Sequence, residues 1–578
     1  MSAERLLEKA TAWASVDPDP KTAAEVRALV ASGDLAELED RFGAALEFGT
    51  AGLRGTLGGG TNRMNRAVVR RTTAGLARSL KAQVPDVAQR GVVVGRDGRH
   101  MSEEFSRDVA CVLAGEGIPA WVFPGVSPTP VTAFAVSHLR AAGAVMVTAS
   151  HNPPEYNGYK AYWGNAAQII PPHDVGIARA IERVEGASAV PLMPEATARA
   201  RGLWRDTPPA LERAYLDAIL ALRPTRLAGD LSIVYTAMHG VGGRWVLAAL
   251  AEAGFKKVHP VPQQQEPNGD FPTVRFPNPE EKGAMDLSSA LARQVSADLV
   301  LANDPDADRL AVMARDASGA LQMLSGNEVG VLLGHYLLTQ TRGPSPVVMT
   351  TIVSSAQLGA IARALGAGYD ETLTGFKWIA NRALEREAQG ARFVMGYEEA
   401  LGYTVGDVVR DKDGVGAALV VADMAAWCRS RGTTLFGYLE EIQRAHGLYV
   451  ARQFNATLPG ATGAATIRQV MDAFRARPVA AIGRWRVVAT NDYQTQLRSE
   501  GPRTSPLELP KSNVLAWELE GGRVTLRPSG TEPKIKVYFE LKETLAGDVL
   551  EARRLGTTRL DELEAAFLTL ARGHGLPQ

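Results

Sequence analysis

The sequence contains few cysteines and has no excess of charge of either sign. Only two cysteines, Cys111 and Cys428, occur among 578 residues, which is too few for a disulfide framework or a cysteine-based metal site. Lysine plus arginine equals aspartate plus glutamate at 63 each, so no global field attracts nucleic acid or an anionic membrane. We therefore predict no nucleic-acid or membrane partner, and any anion-binding site must be local.

A long apolar run and a secretory start are also lacking. The most apolar stretch, residues 415–427, is interrupted by Asp423 and is too short to cross a bilayer, so it predicts a buried helix. The amino terminus has Glu4 and Glu8 where a signal peptide would be basic and then apolar. Together with the few cysteines, this predicts a cytoplasmic protein, and nothing in the sequence requires an obligate protein partner.

What the sequence does have is an alternation of short β-branched runs with longer helical patterns, which favours α/β domains with largely parallel sheets. Predicted strands are 91–95, 144–147, 232–235, 299–302 and 347–350, and predicted helices are 102–115 and 354–365, each opened by a serine suited to capping. After about residue 445 strands dominate, at 485–490, 514–520, 523–526 and 534–541, followed by a helix at 560–572. This end predicts a smaller α+β domain.

The length also sets an expectation for the number of domains. At roughly 150 residues per domain, 578 residues correspond to about four. Breaks near residues 205, 325 and 445 divide the chain into predicted domains at 1–205, 206–325, 326–445 and 446–578.

The sharpest local signal is the sequence Asn303-Asp-Pro-Asp-Ala-Asp-Arg309, directly after an apolar strand. Pro305 forbids a regular helix, so Asp304, Asp306 and Asp308 can project towards one point. Three converging carboxylates repel one another unless a cation lies between them, and hard oxygen ligands suit Mg²⁺. An acidic solvated turn is the alternative, but the apolar strand before the motif and Arg309 after it favour a metal site.

Two further motifs predict anion chemistry. Ser150 lies at a strand-to-loop corner in Thr148-Ala-Ser-His-Asn-Pro-Pro154, placed like a nucleophile, and Lys160 could neutralise a phosphate on it. Arg527-Pro-Ser-Gly-Thr-Glu-Pro-Lys534 offers basic residues around small residues whose N–H groups could wrap an anion. A plain hairpin loop is the alternative for this second motif.

Three weaker segments offer possible sugar contacts. Glu398 and Glu399 could accept hydrogen bonds from vicinal hydroxyls. Lys412, in Asp411-Lys-Asp-Gly414, and Lys377, in Thr374-Gly-Phe-Lys377, each lie in a predicted turn. Solvated surface turns would explain all three, and the Gly58-Gly-Gly60 run needs no more than a tight turn.

Taken together, these motifs resemble, in order and spacing, those of the α-D-phosphohexomutase superfamily. The resemblance extends from about Glu47 to Glu540 and is strongest to its longer phosphoglucomutase and phosphopentomutase branch. It implies three similar mixed α/β domains and a C-terminal α+β domain around a central cleft. In order, these are the phosphoserine-loop, metal-binding-loop, sugar-binding-loop and phosphate-binding domains.

The resemblance also assigns roles to residues of this chain. It implies that Ser150 is phosphorylated and joins Asp304, Asp306 and Asp308 around one Mg²⁺ per chain, with Arg54, Lys160 and Arg309 at the same centre. It implies sugar contacts by the residues Thr374, Glu398 and Lys412, and distal phosphate contacts by the residues Arg527, Ser529, Gly530 and Thr531. Glu399 is added to the predicted substrate contacts because its carboxylate lies next to that of Glu398 in the sequence. Lys377 is our hypothesis for the group that takes the hydroxyl proton, because packing near Phe376 and Trp378 could lower its pKa.

The expected activity is that of a phosphosugar mutase, an isomerase that works through a sugar 1,6-bisphosphate intermediate. Phosphoglucomutase, interconverting glucose 1-phosphate and glucose 6-phosphate, ranks first. Phosphopentomutase, phosphomannomutase and, last, a metal-dependent sugar phosphatase are the alternatives. Ala400 stands where many phosphoglucomutases have a serine, which removes one possible hydroxyl contact.

Overall fold

The structure is a computed structural model that describes residues 2–49, 52–458, 461–529, 534–545 and 547–577. It divides the chain into two compact units. The first comprises the residues up to Gly326 together with Ala380–Glu385 and Ala400–Thr434, and the second comprises Asn327–Ile379, Arg386–Glu399 and the residues from Leu435 onwards. None of the helices within these described ranges has the length and apolar character needed to span a bilayer.

The strands alternate with helices over most of the chain. The strands are β1 (Leu53–Thr56), β2 (Val92–Arg96), β3 (Ala120–Val122), β4 (Gly143–Val147), β5 (Tyr156–Trp163), β6 (Trp204–Asp206), β7 (Ser232–Thr236), β8 (Lys257–Pro260), β9 (Leu299–Ala302), β10 (Ala311–Arg315), β11 (Leu321–Leu324), β12 (Pro346–Thr351), β13 (Gly368–Thr372), β14 (Arg392–Glu398), β15 (Gly402–Val405), β16 (Leu448–Thr457), β17 (Ala481–Ile482), β18 (Trp485–Asp492), β19 (Leu497–Glu500), β20 (Arg503–Pro506), β21 (Leu515–Leu519), β22 (Gly522–Pro528) and β23 (Lys534–Glu543).

The helices are α1 (Ala3–Val16), α2 (Pro20–Ser32), α3 (Leu35–Phe42), α4 (Arg66–Gln83), α5 (Val87–Arg90), α6 (Ser102–Gly115), α7 (Thr129–Leu139), α8 (His173–Glu182), α9 (Glu195–Ala200), α10 (Ala210–Ala221), α11 (Gly243–Glu252), α12 (Asp286–Gln294), α13 (Gly326–Gln340), α14 (Gln357–Ala364), α15 (Phe376–Ala388), α16 (Gly414–Ser430), α17 (Leu435–His446), α18 (Ala461–Ala476) and α19 (Val549–Gly573).

Two mixed sheets form the framework of the first unit. One has the strand order β1-β5-β4-β2-β3-β6, in which β2, β3, β4 and β6 are parallel and β5 runs antiparallel between β4 and β1. The other has the order β11-β10-β9-β7-β8, with β7, β8 and β9 parallel. The central strands β4 and β9 are buried along their whole length, as expected for apolar runs covered on both faces.

The functional motifs lie where these central strands end. Ser150 follows β4, and the three aspartates follow β9, so both lie beyond the carboxyl ends of parallel strands. Open α/β sheets bind their ligands at that edge. The apolar stretch 415–427 lies in α16, which is buried as predicted and is capped by Asp413, whose side chain accepts hydrogen bonds from the N–H groups of Val415 and Gly416.

The second unit contains a parallel sheet and an antiparallel sheet. In the parallel sheet β12 lies between β13 and β14. The antiparallel sheet has the order β16-β23-β22-β21-β18-β19-β20, and α18 and α19 pack on it around Phe474, Trp517 and Phe567. Three α/β domains and a C-terminal domain of a different kind are thus confirmed, whereas the exact positions of the three boundaries between them remain a prediction.

The helix starts show where local sequence signals mislead. The helix predicted at 354–365 begins at Gln357, because the hydroxyl of Ser354 donates to Glu399 instead of capping. α6 begins at Ser102 as predicted, but Ser102 is its first residue and not its cap, because the hydroxyl donates to Asp97. The C-terminal helix starts at Val549, eleven residues before the predicted 560, and Asp548 caps it.

The buried ion pair between Arg223 and Asp423 predicts a measurable effect on stability. Arg223 Nε lies 3.2 Å from Asp423 Oδ1, with side chains 6% and 0% exposed. Asp423→Ala leaves a buried cation without its counter-ion, so we expect it to lower the free energy of unfolding by about 3–5 kcal/mol. Glu212→Ala removes the exposed partner of Arg244 and should cost less than about 1 kcal/mol. Equal shifts of the two urea denaturation midpoints would contradict the prediction.

Candidate active site

Ser150 occupies an unusual backbone conformation at the end of β4. Its φ is +52°, in the left-handed region that residues other than glycine seldom adopt. The N–H of Ser150 donates to Thr148 Oγ1 at 2.9 Å, and its hydroxyl donates to Asp304 Oδ2 at 2.8 Å. Such strain persists only where surrounding contacts impose it. The corner therefore holds a buried serine oxygen against the first aspartate of the cluster.

His151 lies beside the same hydroxyl. Its Nδ1 is 3.2 Å from Ser150 Oγ. Desolvation lowers the pKa of His151 well below its ordinary value, and the positive charges of Arg309 and Arg54 lower it further. A neutral imidazole therefore faces the serine oxygen at physiological pH.

The three aspartates after β9 converge as predicted. Asp304, Asp306 and Asp308 are buried, and each offers a carboxylate oxygen within 4.8 Å of the others. Burial, followed by the charges of Asp306 and Asp308, raises the pKa of Asp304 well above its ordinary value. Burial also acts to raise the pKa of Asp308, but Lys160 and Lys412 outweigh it and bring that pKa below the ordinary value.

Two lysines pair with this cluster. Lys160 Nζ, from β5, lies 2.7 Å from Asp306 Oδ2 and 2.8 Å from Asp308 Oδ2. Lys412 Nζ lies 3.2 Å from Asp308 Oδ2. The resemblance implied a sugar contact for Lys412, and in the structure this lysine also lies beside the aspartates. The sequence does not reveal this proximity, because Lys412 and Asp308 are far apart along the chain.

The cluster fits a divalent metal ion by the chemistry of its donors. Asp306 Oδ1 and Asp308 Oδ1 are buried and have no hydrogen-bond partner within the part of the chain that the structure describes. Buried oxygen atoms of this kind are costly unless a partner satisfies them. A Mg²⁺ held by Asp304, Asp306 and Asp308 would satisfy both, because Mg²⁺ prefers carboxylate oxygens.

Two arginines predicted for this centre lie close to the serine loop. Arg54, in β1, donates from Nη1 to Asn152 Oδ1 at 2.9 Å. The backbone N–H of Arg309 donates to Asp304 Oδ1 at 3.0 Å, and its guanidinium lies 3.9 Å from Glu280. The structure thus brings Ser150, Arg54, Lys160, Arg309 and the aspartates together in the first unit.

Sequence reasoning missed two residues that shape the site. Arg99 is buried and donates to the carbonyl oxygens of Ser150 and Asn152, both at 2.5 Å, while its Nε lies 3.2 Å from Asp97. Thr129 Oγ1 donates to Asp306 Oδ2 at 2.6 Å. The sequence did contain a signal for Arg99, since the segment 97–99 follows the predicted strand at 91–95, and open α/β sheets bind ligands where their parallel strands end.

Other predicted contacts lie in the second unit. Glu398 Oε1 accepts from the N–H of Gly375 at 2.8 Å, and Glu399 accepts from Ser354 Oγ at 3.0 Å. Burial, followed by the charge of Glu398, raises the pKa of Glu399. The hydroxyl oxygen of Thr374 is buried without a hydrogen-bond partner among the described residues, so it is available to a ligand.

The remaining predicted residues also belong to the second unit. Lys377 Nζ lies 5.9 Å from the centre of the Trp378 ring. Arg527 is in β22, and the N–H of Ser529 donates to the carbonyl of Lys534 at 2.7 Å. Gly530 and Thr531 lie outside the described residues, so the distal phosphate clamp stays a prediction.

Sequence profiles of one family match four consecutive parts of the chain. Domains I, II and III of phosphoglucomutase/phosphomannomutase, each described as alpha/beta/alpha, match residues 45–187, 213–319 and 325–445, and the C-terminal domain matches 470–552. The chain belongs to the phosphoglucomutase/phosphomannomutase family. This confirms the resemblance to the α-D-phosphohexomutase superfamily, and the chain is accordingly a phosphosugar mutase, an intramolecular phosphotransferase of the isomerase class.

Relatives of this chain are named for different activities. A phosphopentomutase from Mus musculus is 38% identical over 93% of this chain and 90% of its own length. A phosphoglucomutase from Staphylococcus epidermidis is 34% identical over 87% of this chain and 92% of its own length. The structure of a phosphoglucomutase/phosphomannomutase family protein from Burkholderia thailandensis has the same fold, with a TM-score of 0.65 and 20% identity over 89% of this chain and 96% of that one.

Removing one ligand of the aspartate cluster should weaken magnesium binding. Asp306→Asn replaces a carboxylate with a neutral amide, so we expect the dissociation constant for Mg²⁺ to rise at least about tenfold in calorimetric titrations. Asp217→Asn, at a 65% exposed aspartate on α10, is the control and should leave the affinity unchanged. Equal Mg²⁺ affinity of Asp306→Asn and the parent protein would contradict the metal site.

Proposed function

We propose that the protein is a phosphopentomutase, which interconverts the 1-phosphate and 5-phosphate of ribose or deoxyribose. The observation that carries this choice is the 38% identity to a phosphopentomutase across nearly the whole of both chains. This proposal replaces phosphoglucomutase, the activity that we ranked first from the sequence motifs alone. Ala400, in place of a serine that many phosphoglucomutases carry, agrees with a smaller or differently held sugar.

Ser150 is the proposed carrier of the phosphoryl group. In the first step the bond between phosphorus and Ser150 Oγ breaks while the free hydroxyl oxygen of the sugar monophosphate bonds to phosphorus, giving a sugar bisphosphate. The hydroxyl proton passes to a base, for which Lys377 remains our hypothesis. In the second step the other phosphate of the bisphosphate returns to Ser150 and leaves the isomeric monophosphate.

The residues around Ser150 support this role through charge. Lys160 pairs with Asp306, Arg54 donates to Asn152 in the serine loop, and the backbone N–H of Arg309 donates to Asp304. These residues bring positive charge to the region of the serine loop, as a transferring phosphoryl group requires. Mg²⁺ bound by Asp304, Asp306 and Asp308 would neutralise charge that develops on the phosphoryl oxygens. His151, held neutral, can exchange a hydrogen bond with the serine hydroxyl when no phosphate is attached.

Sugar and distal phosphate contacts complete the proposal. The proposed sugar contacts are Thr374, Glu398, Glu399 and Lys412. They are supported by the buried hydroxyl of Thr374, which has no hydrogen-bond partner within the described ranges. Arg527, Ser529, Gly530 and Thr531 are the proposed contacts to the phosphate that is not being transferred. A cytoplasmic location also remains a prediction from the sequence.

Turnover of a panel of sugar phosphates tests the assignment. With Mg²⁺ and a trace of the matching bisphosphate, we expect kcat/KM for ribose 1-phosphate or deoxyribose 1-phosphate to exceed that for glucose 1-phosphate and mannose 1-phosphate by at least about tenfold. A higher value for glucose 1-phosphate would restore phosphoglucomutase. Release of free phosphate without an isomeric product would contradict a mutase altogether.

A further inference from the structure

The first three helices form a small element that precedes the matched family domains. The first family profile begins at residue 45, whereas α1, α2 and α3 cover Ala3–Phe42. These helices pack around their own core of buried side chains, which are Leu6, Ala10, Ala14, Val26, Leu38 and Phe42. Lys9 Nζ also donates to the carbonyl of Phe42 at 2.5 Å, linking the first helix to the last. We refer to α1–α3 as the helical cap.

Two side chains of the helical cap form hydrogen bonds with the backbone of one glycine in the family domain, one with its N–H and the other with its carbonyl oxygen. The N–H of Gly59 donates to Glu25 Oε2 at 2.9 Å, and the Gly59 carbonyl accepts from Arg41 Nη1 at 3.2 Å. Arg41 also pairs with Glu25 at 2.7 Å, so the two side chains brace each other. A Cβ at Gly59 would lie 2.5 Å from Val26 Cγ2 and 2.8 Å from the carbonyl of Thr22. Only glycine therefore fits.

The glycine run Gly58–Gly60 also forms hydrogen bonds with a residue of the family domain. Asn65 Nδ2 donates to the carbonyls of Gly58 and Gly60 at 2.9 and 2.8 Å, while its Oδ1 caps α4. Gly58 and Gly60 have φ values of 146° and 128°, which favour glycine. The run that the sequence explained as a tight turn is thus a docking point between the helical cap and the segment Leu53–Asn65.

This docking point lies next to the strand that carries Arg54. β1 has four residues and lies at the edge of its sheet, where it pairs with β5 and places Arg54 opposite Gly158. A short edge strand with one neighbour has few hydrogen bonds to fix its position. The loop that leaves β1 is anchored through Gly59, and Arg54 Nη1 reaches Asn152, two residues from Ser150.

We propose that the helical cap is a positioning element, which fixes Arg54 at the Ser150 site by holding Gly59 between Glu25 and Arg41. This rests on the proposed role of Arg54 as a phosphate contact of Ser150. Glu25 and Arg41 are positioning residues and touch no reacting atom.

Hydrogen–deuterium exchange tests, without an activity assay, whether the contacts of Glu25 and Arg41 with Gly59 hold the segment in place. Gly59→Val introduces the clash with Val26, and Glu25→Gln removes the carboxylate with little change of volume. In both variants, amides of the segment 52–64 should exchange at least about tenfold faster than in the parent, while β7 exchanges as before. Gly573→Ala is the matched control, because a Cβ at Gly573 meets open space. Unchanged exchange in both variants would overturn the proposal.

A double-mutant cycle tests whether the grip acts through Arg54. Gly59→Val should lower kcat/KM about tenfold in the parent, but less than about twofold when Arg54→Lys is already present. Glu25→Gln is measured in both backgrounds as well. If Gly59→Val fails to fold, Glu25→Gln still tests the proposal. Equal fold-changes in both backgrounds would overturn the proposal. Full activity of Arg54→Lys would also overturn the proposal, and would count against Arg54 as a contact in the proposed site. Faster exchange at 52–64 would in that case still show that the helical cap holds this segment.

Discussion

The mutual repulsion of three buried carboxylates is the constraint on which the first unit's site depends. Asp304, Asp306 and Asp308 lie within 4.8 Å of one another with almost no exposure to water. Charges that close repel strongly in a medium of low dielectric constant unless cations lie among them. Lys160 and Lys412 provide two positive charges, and Asp306 Oδ1 and Asp308 Oδ1, which have no hydrogen-bond partner among the described residues, could each bind a metal ion.

The elements around the aspartates follow from that requirement. β5 runs antiparallel beside β4, so the strand that follows the serine loop delivers Lys160 to the cluster. The segment between β15 and α16 delivers Lys412, and its neighbour Asp411 is fixed by hydrogen bonds from Tyr162 and Gln168, both at 2.6 Å. The hydroxyl of Ser150 donates to Asp304 of the same cluster, so the lysines that permit the carboxylates to be buried also lie near the proposed phosphoryl carrier.

Sequence alone predicted the parts of this arrangement that depend on local patterns. The bounds of β9 at 299–302 agree with the prediction because an apolar run followed by Asp-Pro can end in few ways. The convergence of the three aspartates followed from alternation and Pro305. Helix starts were predicted less evenly: α6 begins at Ser102 as predicted, whereas α14 begins three residues after Ser354, whose hydroxyl donates to Glu399 rather than accepting from a helix N–H group.

Contacts between distant parts of the chain could not be predicted in this way. Lys412 reaches Asp308 from more than a hundred residues away, and Arg99 binds the carbonyl of Ser150 from the loop after β2, about fifty residues earlier in the chain. The close approach of Gly59 to Val26 is likewise visible only in the folded structure, so the sequence alone did not reveal why a glycine is needed there. Such roles depend on tertiary packing, which periodicity and spacing do not encode.

The central claim is that the strained corner at Ser150 carries the phosphoryl group, and mapping that group tests it most directly. The protein is incubated with ribose 1,5-bisphosphate labelled with ³²P and Mg²⁺, digested, and the labelled peptide is sequenced. Ser137→Ala, at an exposed serine on α7, is the control and should label like the parent. We expect label on Ser150, its loss in Ser150→Ala and its removal by unlabelled ribose 5-phosphate. Label on another residue, or turnover without any labelled serine, would exclude Ser150 as the phosphoryl carrier.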